Sequence, residues 1–259
     1  MSKLKRENRA YFFVYAPPLK GVRPSKREAP QMPFRDAKPW QCSVYYYWWE
    51  YLRRHKGYRR TCEQGGKGRY AKLYADFGDV HESEFWEWWR RHDFLFGEPR
   101  TRHVEEVTNF SKQELDDSNS VLIRVPLENR LSHSTRQFKR VLAPLVKETY
   151  RRKTVSRAPY PVATKPVLSS LHQHLMVWDA KQANPKMDDA DIADLAKVYV
   201  NTVVNGETVA SLKRLDLPFW DVEKVIRRRK QLSVQRHLRI ADQYIANVAK
   251  GKFPLRDGR

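Results

Sequence analysis

The 259-residue chain is poor in the features that usually announce a function. It has two cysteines, Cys42 and Cys62, too few for a disulfide framework. No stretch approaches the roughly eighteen apolar residues of a spanning helix. The basic start MSKLKRENRAYFFVYAPP holds no apolar run long enough for a secretory signal. A cytoplasmic location and no membrane partner are therefore expected. No G-x-S-x-G, P-loop or H-E-x-x-H pattern occurs. Gly65-Gly66-Lys67-Gly68 follows a predicted helix rather than a strand, which argues against a phosphate cradle. Cys42, His55, Cys62 and His81 lack the paired spacing of a structural zinc site, and His172 and His174, two apart on a predicted helix, point away from each other. The carboxylate groups Asp76, Asp79, Glu82, Glu84 and Asp188, Asp189, Asp191, Asp194 fall at predicted helix ends, where capping accounts for them. No catalytic residue, metal or cofactor is expected, and the chain reads as a non-enzyme.

What is abundant is positive charge. Fifty Lys and Arg against thirty Asp and Glu give a net +20 and a pI near 10.0. A field of that sign attracts polyanions, of which nucleic acid is the commonest for a soluble protein. A basic surface that meets an acidic protein is the alternative. The charge is uneven: residues 1–40 hold ten basic and three acidic side chains, 41–119 thirteen and fourteen, and 120–259 twenty-seven and thirteen. The middle segment is thus neutral between a basic arm and a basic C-terminal half.

That neutral segment carries most of the conspicuous aromatics, in CSVYYYWWEYLRR (42–54) and FWEWWRRHDF (85–94). Ser43 to Tyr58 has helical spacing, with Val44, Tyr47, Trp48, Tyr51 and Leu52 on one stripe. Tyr45, Tyr46 and Trp49 fall off the stripe and, with Trp88 of a helix capped by Ser83, are the predicted aromatic interface. A single-strand binder would combine such rings with a positive groove, and the neutral charge here speaks against that. Four parts follow: a basic, proline-rich arm (1–40) able to dock by Tyr11, Phe12, Phe13 and Tyr15; an aromatic-rich helical module (41–98); a linker, a short strand at 121–127 and a basic helix from Ser134 to Lys153 with a Ser134/Gln137 capping box (99–155); and a helical domain (156–259) set off by the proline-punctuated SRAPYPVATKP. The fold class is mainly α, an aromatic-cored module plus a helix-turn-helix-like domain, with one short strand.

The functional reading rests on LSVQRHLRIADQYIANVAKGKFP (232–254). Ser233 as N-cap, with Gln235, Arg236 and Arg239 opposite the apolar stripe, has the look of a recognition helix, since Gln can read adenine and Arg guanine in the major groove. Arg227, Arg228, Arg229 and Lys230 just upstream suit phosphates. The preferred geometry places a helix at 218–230, a turn at Gln231-Leu232 and a second helix from Ser233. The pattern YYYWWEYLRR…LYADFGDV…FWEWWRR…LFGEP, followed by VWDAKQANPKM and the late LSVQRHLRIADQYIANVAKGKFP, resembles uncharacterised "transcriptional regulator-like" proteins of proteobacterial chromosomes and mobile elements across most of residues 40–254. That resemblance implies a DNA-linked role. The expected function is sequence-selective DNA binding in transcription regulation, with duplex DNA as the partner and a homodimer or protein partner at the aromatic module. The alternatives are an RNA-binding subunit of a defence or mobile-element ribonucleoprotein that grips structured RNA, and a basic structural adaptor.

Overall fold

The apolar face of the first helix is too wide for one neighbour, and the fold is built around covering it. The structure, a computed structural model, describes residues 11–21, 32–99, 121–146 and 156–257. Helix α1 (Val44–Arg53) buries seven of its ten side chains. Its N-cap Ser43 accepts from the Tyr45 N–H at 3.3 Å and donates its own hydroxyl to the Ala16 carbonyl at 2.9 Å. The helix predicted to reach Tyr58 instead breaks at His55, whose Nδ1 accepts from the Tyr58 N–H at 2.9 Å and caps α2 (Lys56–Glu63). A polar cap three residues ahead offers the backbone an alternative to continuing the helix. Next come α3 (Ala71–Phe77), ended by Gly78 at φ 62°, and α4 (Phe85–His92). Glu84, not Ser83, is the N-cap of α4.

Most of the chain forms one unit, residues 1–98 with 158–259. The expected boundary at 156 is thereby corrected: the aromatic module and the C-terminal helices share a single hydrophobic core. Helices α6 (Leu168–Ala183), α7 (Asp189–Leu195), α8 (Val209–Arg214) and α9 (Trp220–Val248) follow. Trp48, fully buried, lies between Phe77 (6.2 Å, near-parallel), Phe96 (5.1 Å) and Phe253 (5.6 Å). Tyr51 donates to the Leu171 carbonyl at 2.8 Å and packs edge-on against Tyr244 of α9. One helix therefore touches residues more than a hundred positions away on two C-terminal helices. A smaller cluster of Val177, Ile192, Ala193, Ala196 and Val234 ties α6, α7 and α9 together. Lys197, at φ 51°, ends α7, and Asn205-Gly206, both at positive φ, turn a short antiparallel bridge between Val204 and Glu207.

The arm contributes to this core. Phe13 meets Tyr45 (5.5 Å) and Trp89 (5.4 Å), and the Tyr11 hydroxyl donates to Asp93 at 2.7 Å, whereas Phe12 is exposed. Strands β1 (Tyr11–Phe12) and β2 (Glu98–Pro99) pair into the one sheet seen among the described residues. The strand expected at 121–127 is not formed: the segment is irregular and largely exposed, and Pro126 removes a ladder donor. It belongs to a second unit, 99–157, whose described part also holds α5 (Leu131–Leu142). Helix α5 starts three residues before the predicted Ser134 cap, with Arg130 as N-cap. It stops ahead of Pro144, which has no N–H to give the Arg140 carbonyl. The remainder of the predicted helix, 147–153, lies outside the described residues.

A single ion-paired group locks α1 to α6. Arg54 donates through Nε and Nη2 to both oxygens of Asp179 at 2.7 and 2.5 Å, and through Nη1 to the Glu50 carbonyl and carboxylate at 2.7 and 2.5 Å. Burial opposes its charge, but the hydrogen bonds and charges of Asp179 and Glu50 hold the guanidinium above its ordinary range. We expect Arg54→Ala to leave two half-buried carboxylates without their cation. The predicted loss is about 2–3 kcal/mol in urea unfolding, reduced from the fully buried case because Asp179 is partly solvated. Unchanged stability would show that the fork contributes nothing net.

Candidate nucleic-acid interface

No glycine or proline interrupts residues 220–249, and Arg, Lys, Gln and Leu are strong helix formers. The result is that α9 runs unbroken for 29 residues, about 43 Å at 1.5 Å per residue. This corrects the predicted turn at Gln231-Leu232. Ser233 is an interior residue and not a cap, and the residues singled out as base readers sit at mid-helix rather than at a helix tip. Its buried residues are Val222 and, from the middle of the helix onward, Val234, Ile240, Ala241, Tyr244, Ile245, Asn247 and Val248.

Gln235, Arg236 and Arg239 are exposed on the other side, as the spacing predicts. At 100° per residue they fall within about a third of the helix circumference, and Arg228 and Leu232, both exposed, share that arc. No carboxylate lies among these five positions. Gln235 makes one long contact, 3.5 Å to Asp189. The four residues assigned to phosphates divide differently. Arg227 pairs with Asp188 at 3.0 Å, Lys230 with Asp194 at 2.5 Å, and Arg229 donates to the carbonyls of Asn201 and Val203, each at 2.8 Å. These three fasten α7 and the segment after it to α9. Arg228 alone of the four has no ion pair or hydrogen bond among the described residues. The acidic face of α7 explains the difference: Asp188, which also caps the helix by accepting from the Ala190 N–H, and Asp194 reach the cations nearest to them.

The predicted aromatic interface is not a surface. Tyr45, Trp49 and Trp88 are at most 5% exposed. Tyr45 stacks on Trp89 at 5.2 Å, and Trp88 donates its indole N–H to the Phe77 carbonyl at 2.8 Å. Tyr46 is half-buried and donates to Glu50 at 2.9 Å. Rings off the main stripe of α1 are covered by α4, the segment after it and Phe13 of the arm.

Two open hollows flank Arg53, and neither was foreseen. One, of about 420 Å³, is lined by Arg53, Lys56, Arg59 and Trp178 together with the ion-paired Glu50–Arg54–Asp179 group. The other, of about 410 Å³, is walled by Trp40, Tyr46, Trp49, Phe85 and Trp86, with His81 and Glu82 beside them. Arg53 and Glu50 line both. The signal available in advance was the three-residue spacing of Arg53, Lys56 and Arg59. Among the described residues, no group of three or more metal-binding side chains comes together, and no helix is long and apolar enough to cross a membrane. Comparison with family models, curated proteins and solved structures finds no match.

Beneath the exposed face of α9 lies a histidine pair. His174 of α6, 5% exposed, and His237 of α9 approach Nδ1 to Nδ1 at 2.7 Å, so one ring donates and the other accepts. Burial, then the nearby His237, Arg256 and Arg236, push the His174 pKa down to about 3. An imidazole kept neutral in the fold but free to protonate when unfolded leaves stability unchanged above its ordinary pKa. Below that value, stability falls with pH until the folded-state pKa is reached. Acidification from about pH 7.5 to about pH 5 should thus cost about 2 kcal/mol from this residue. Urea unfolding at the two values should show the drop, and His174→Gln should shrink it. An equal drop in the variant would remove His174 from the account.

Proposed function

We propose that the protein binds duplex DNA in a regulatory role, using the side of α9 as its reading surface. The observation that carries the proposal is the run of Arg228, Gln235, Arg236 and Arg239 on one solvent-facing arc of an unbroken helix. Most neighbouring cations are consumed by Asp188 and Asp194, while these three arginines are left for an external anion. From residue 228 to 239 the arc runs about 16 Å, the axial length of about five base steps. A helix fits the major groove, and a continuous helix without a free tip can lie along it, as the basic regions of zipper proteins do. Gln235, Arg236 and Arg239 would then meet base edges and Arg228 a phosphate.

The test is a binding measurement with random-sequence and selected duplexes across a salt series. Arg236→Ala/Arg239→Ala should weaken selected-duplex binding at least tenfold and flatten its sequence preference, whereas Arg228→Ala should lower the salt slope by about 0.9 with preference intact. Unchanged affinity in the double variant would overturn the assignment of this face. Preference for structured RNA over every duplex would replace DNA by RNA as the partner.

A further inference from the structure

The second feature with the makings of a site is the pair of hollows on either side of Arg53, remote in sequence from α9. Their linings are chemically opposite. The hollow walled by Trp40, Tyr46, Trp49, Phe85 and Trp86 presents ring faces and edges: Trp40 meets Trp86 at 6.2 Å, and Phe85 meets Trp86 at 5.9 Å. It also contains an unsatisfied pair. Trp49 Nε1 and His81 Nε2 are buried and without a hydrogen-bond partner among the described residues, and both rings line this hollow. Buried ring nitrogens ordinarily have partners, and these two are closed off from solvent, so a ligand in the hollow reaches them only if the Trp49 or His81 ring turns. The indole N–H can only donate, while the imidazole nitrogen donates or accepts according to tautomer.

The other hollow is basic. Its two carboxylates, Glu50 and Asp179, are engaged by Arg54. Lys56 and Arg59 are exposed and make no ion pair among the described residues, and Arg53 stacks over the Trp49 ring at 4.3 Å with its charge uncompensated. Glu82 and Glu84 stand at the aromatic hollow, whose lining includes neither Lys56 nor Arg59. An anionic group is repelled at the aromatic end and attracted at the basic end, so a two-part ligand has only one favourable orientation.

We infer that the two hollows form one site for a nucleobase joined to a phosphate, with the base among Trp40, Phe85 and Trp86 and the phosphate between Arg53, Lys56 and Arg59. A base offers flat faces to the rings and, once the Trp49 or His81 ring turns, carbonyl oxygens and ring nitrogens to Trp49 Nε1 and His81 Nε2. Each hollow, at 410–420 Å³, has the size of a small-molecule pocket. The same chemistry is carried by a free nucleotide and by an unpaired, phosphate-linked base in a single strand. This site goes beyond the duplex-reading face of α9 and does not depend on it.

The experiment is tryptophan fluorescence titration of the full chain with adenosine, AMP, CMP and a 5′-phosphorylated decathymidylate. AMP, CMP or the decamer should quench and saturate, with adenosine at least about tenfold weaker than AMP for want of the phosphate. Trp86→Ala should weaken binding at least about tenfold. Lys56→Ala/Arg59→Ala, confined to exposed side chains, should keep the thermal midpoint yet weaken AMP and lower the salt slope of the decamer by about 1.4. Matching affinities for AMP and decamer identify a free nucleotide, and binding of the decamer alone identifies a strand. Either result supports the site. Absence of saturable quenching by every probe to millimolar concentration would overturn it, as would wild-type affinity in the Lys56/Arg59 variant. Arg236→Ala/Arg239→Ala should bind these probes normally, so failure here and failure of the duplex reading are separable.

Discussion

The buried face of helix α1 is wider than one neighbour can cover, and that constraint organises the larger unit. At 100° per residue, Tyr45, Tyr47, Trp48, Trp49, Tyr51 and Leu52 span about 200° of the circumference and are all buried, leaving Tyr46, Glu50 and Arg53 on the remaining side. A face that wide needs more than one partner. Its own module provides α4 and Phe96, the arm provides Phe13, and the C-terminal half closes the rest with Leu171, Tyr244 and Phe253. At about 25 cal/mol per Å² of apolar area, aromatic rings buried together give far more than any surface contact could. The joining of residues 41–98 to 158–253 follows from this demand, with the Arg54 fork setting the register of α1 on α6.

Legibility in the sequence followed the range of the interactions. Helices spaced by local periodicity and ended by local punctuation were readable: α3 stops at Gly78, α7 opens at Asp188, α8 is capped by Thr208, and Asn205-Gly206 turns. The division of α1 was half readable. Val44, Tyr47, Trp48, Tyr51 and Leu52 are core as the spacing required, but Tyr45 and Trp49 are core too, because their covering groups come from Phe13, Trp89 and Phe96, which helical periodicity does not reveal. The failed break at Gln231-Leu232 has the opposite origin. Ser233 is a good cap in isolation, yet an apolar stripe continuing on both sides of it favours propagating the helix over stopping it.

The cations show the same dependence on context. A run of four basic residues at 227–230 looks uniform on paper. On a helix its members point in four directions, and three meet α7 or the segment that follows it. Such pairs are partly solvent-exposed and individually weak, but they decide which charges remain for a partner. A net charge of +20 says nothing about that selection.

Two surfaces that carry unpaired cations differ in chemistry. The α9 arc is convex, long and nearly free of apolar side chains, a shape that can enter a groove but cannot enclose anything. The flank of α1 is concave, aromatic at one end and basic at the other, a shape that can enclose a base but cannot follow a duplex. The two are linked through Trp178, which lines the basic hollow and donates its indole N–H to Asp242 on α9 at 2.9 Å, one turn beyond Arg239. Asp242 is the acid nearest the exposed arc in sequence, and the indole N–H it accepts leaves its negative charge in place beside Arg239.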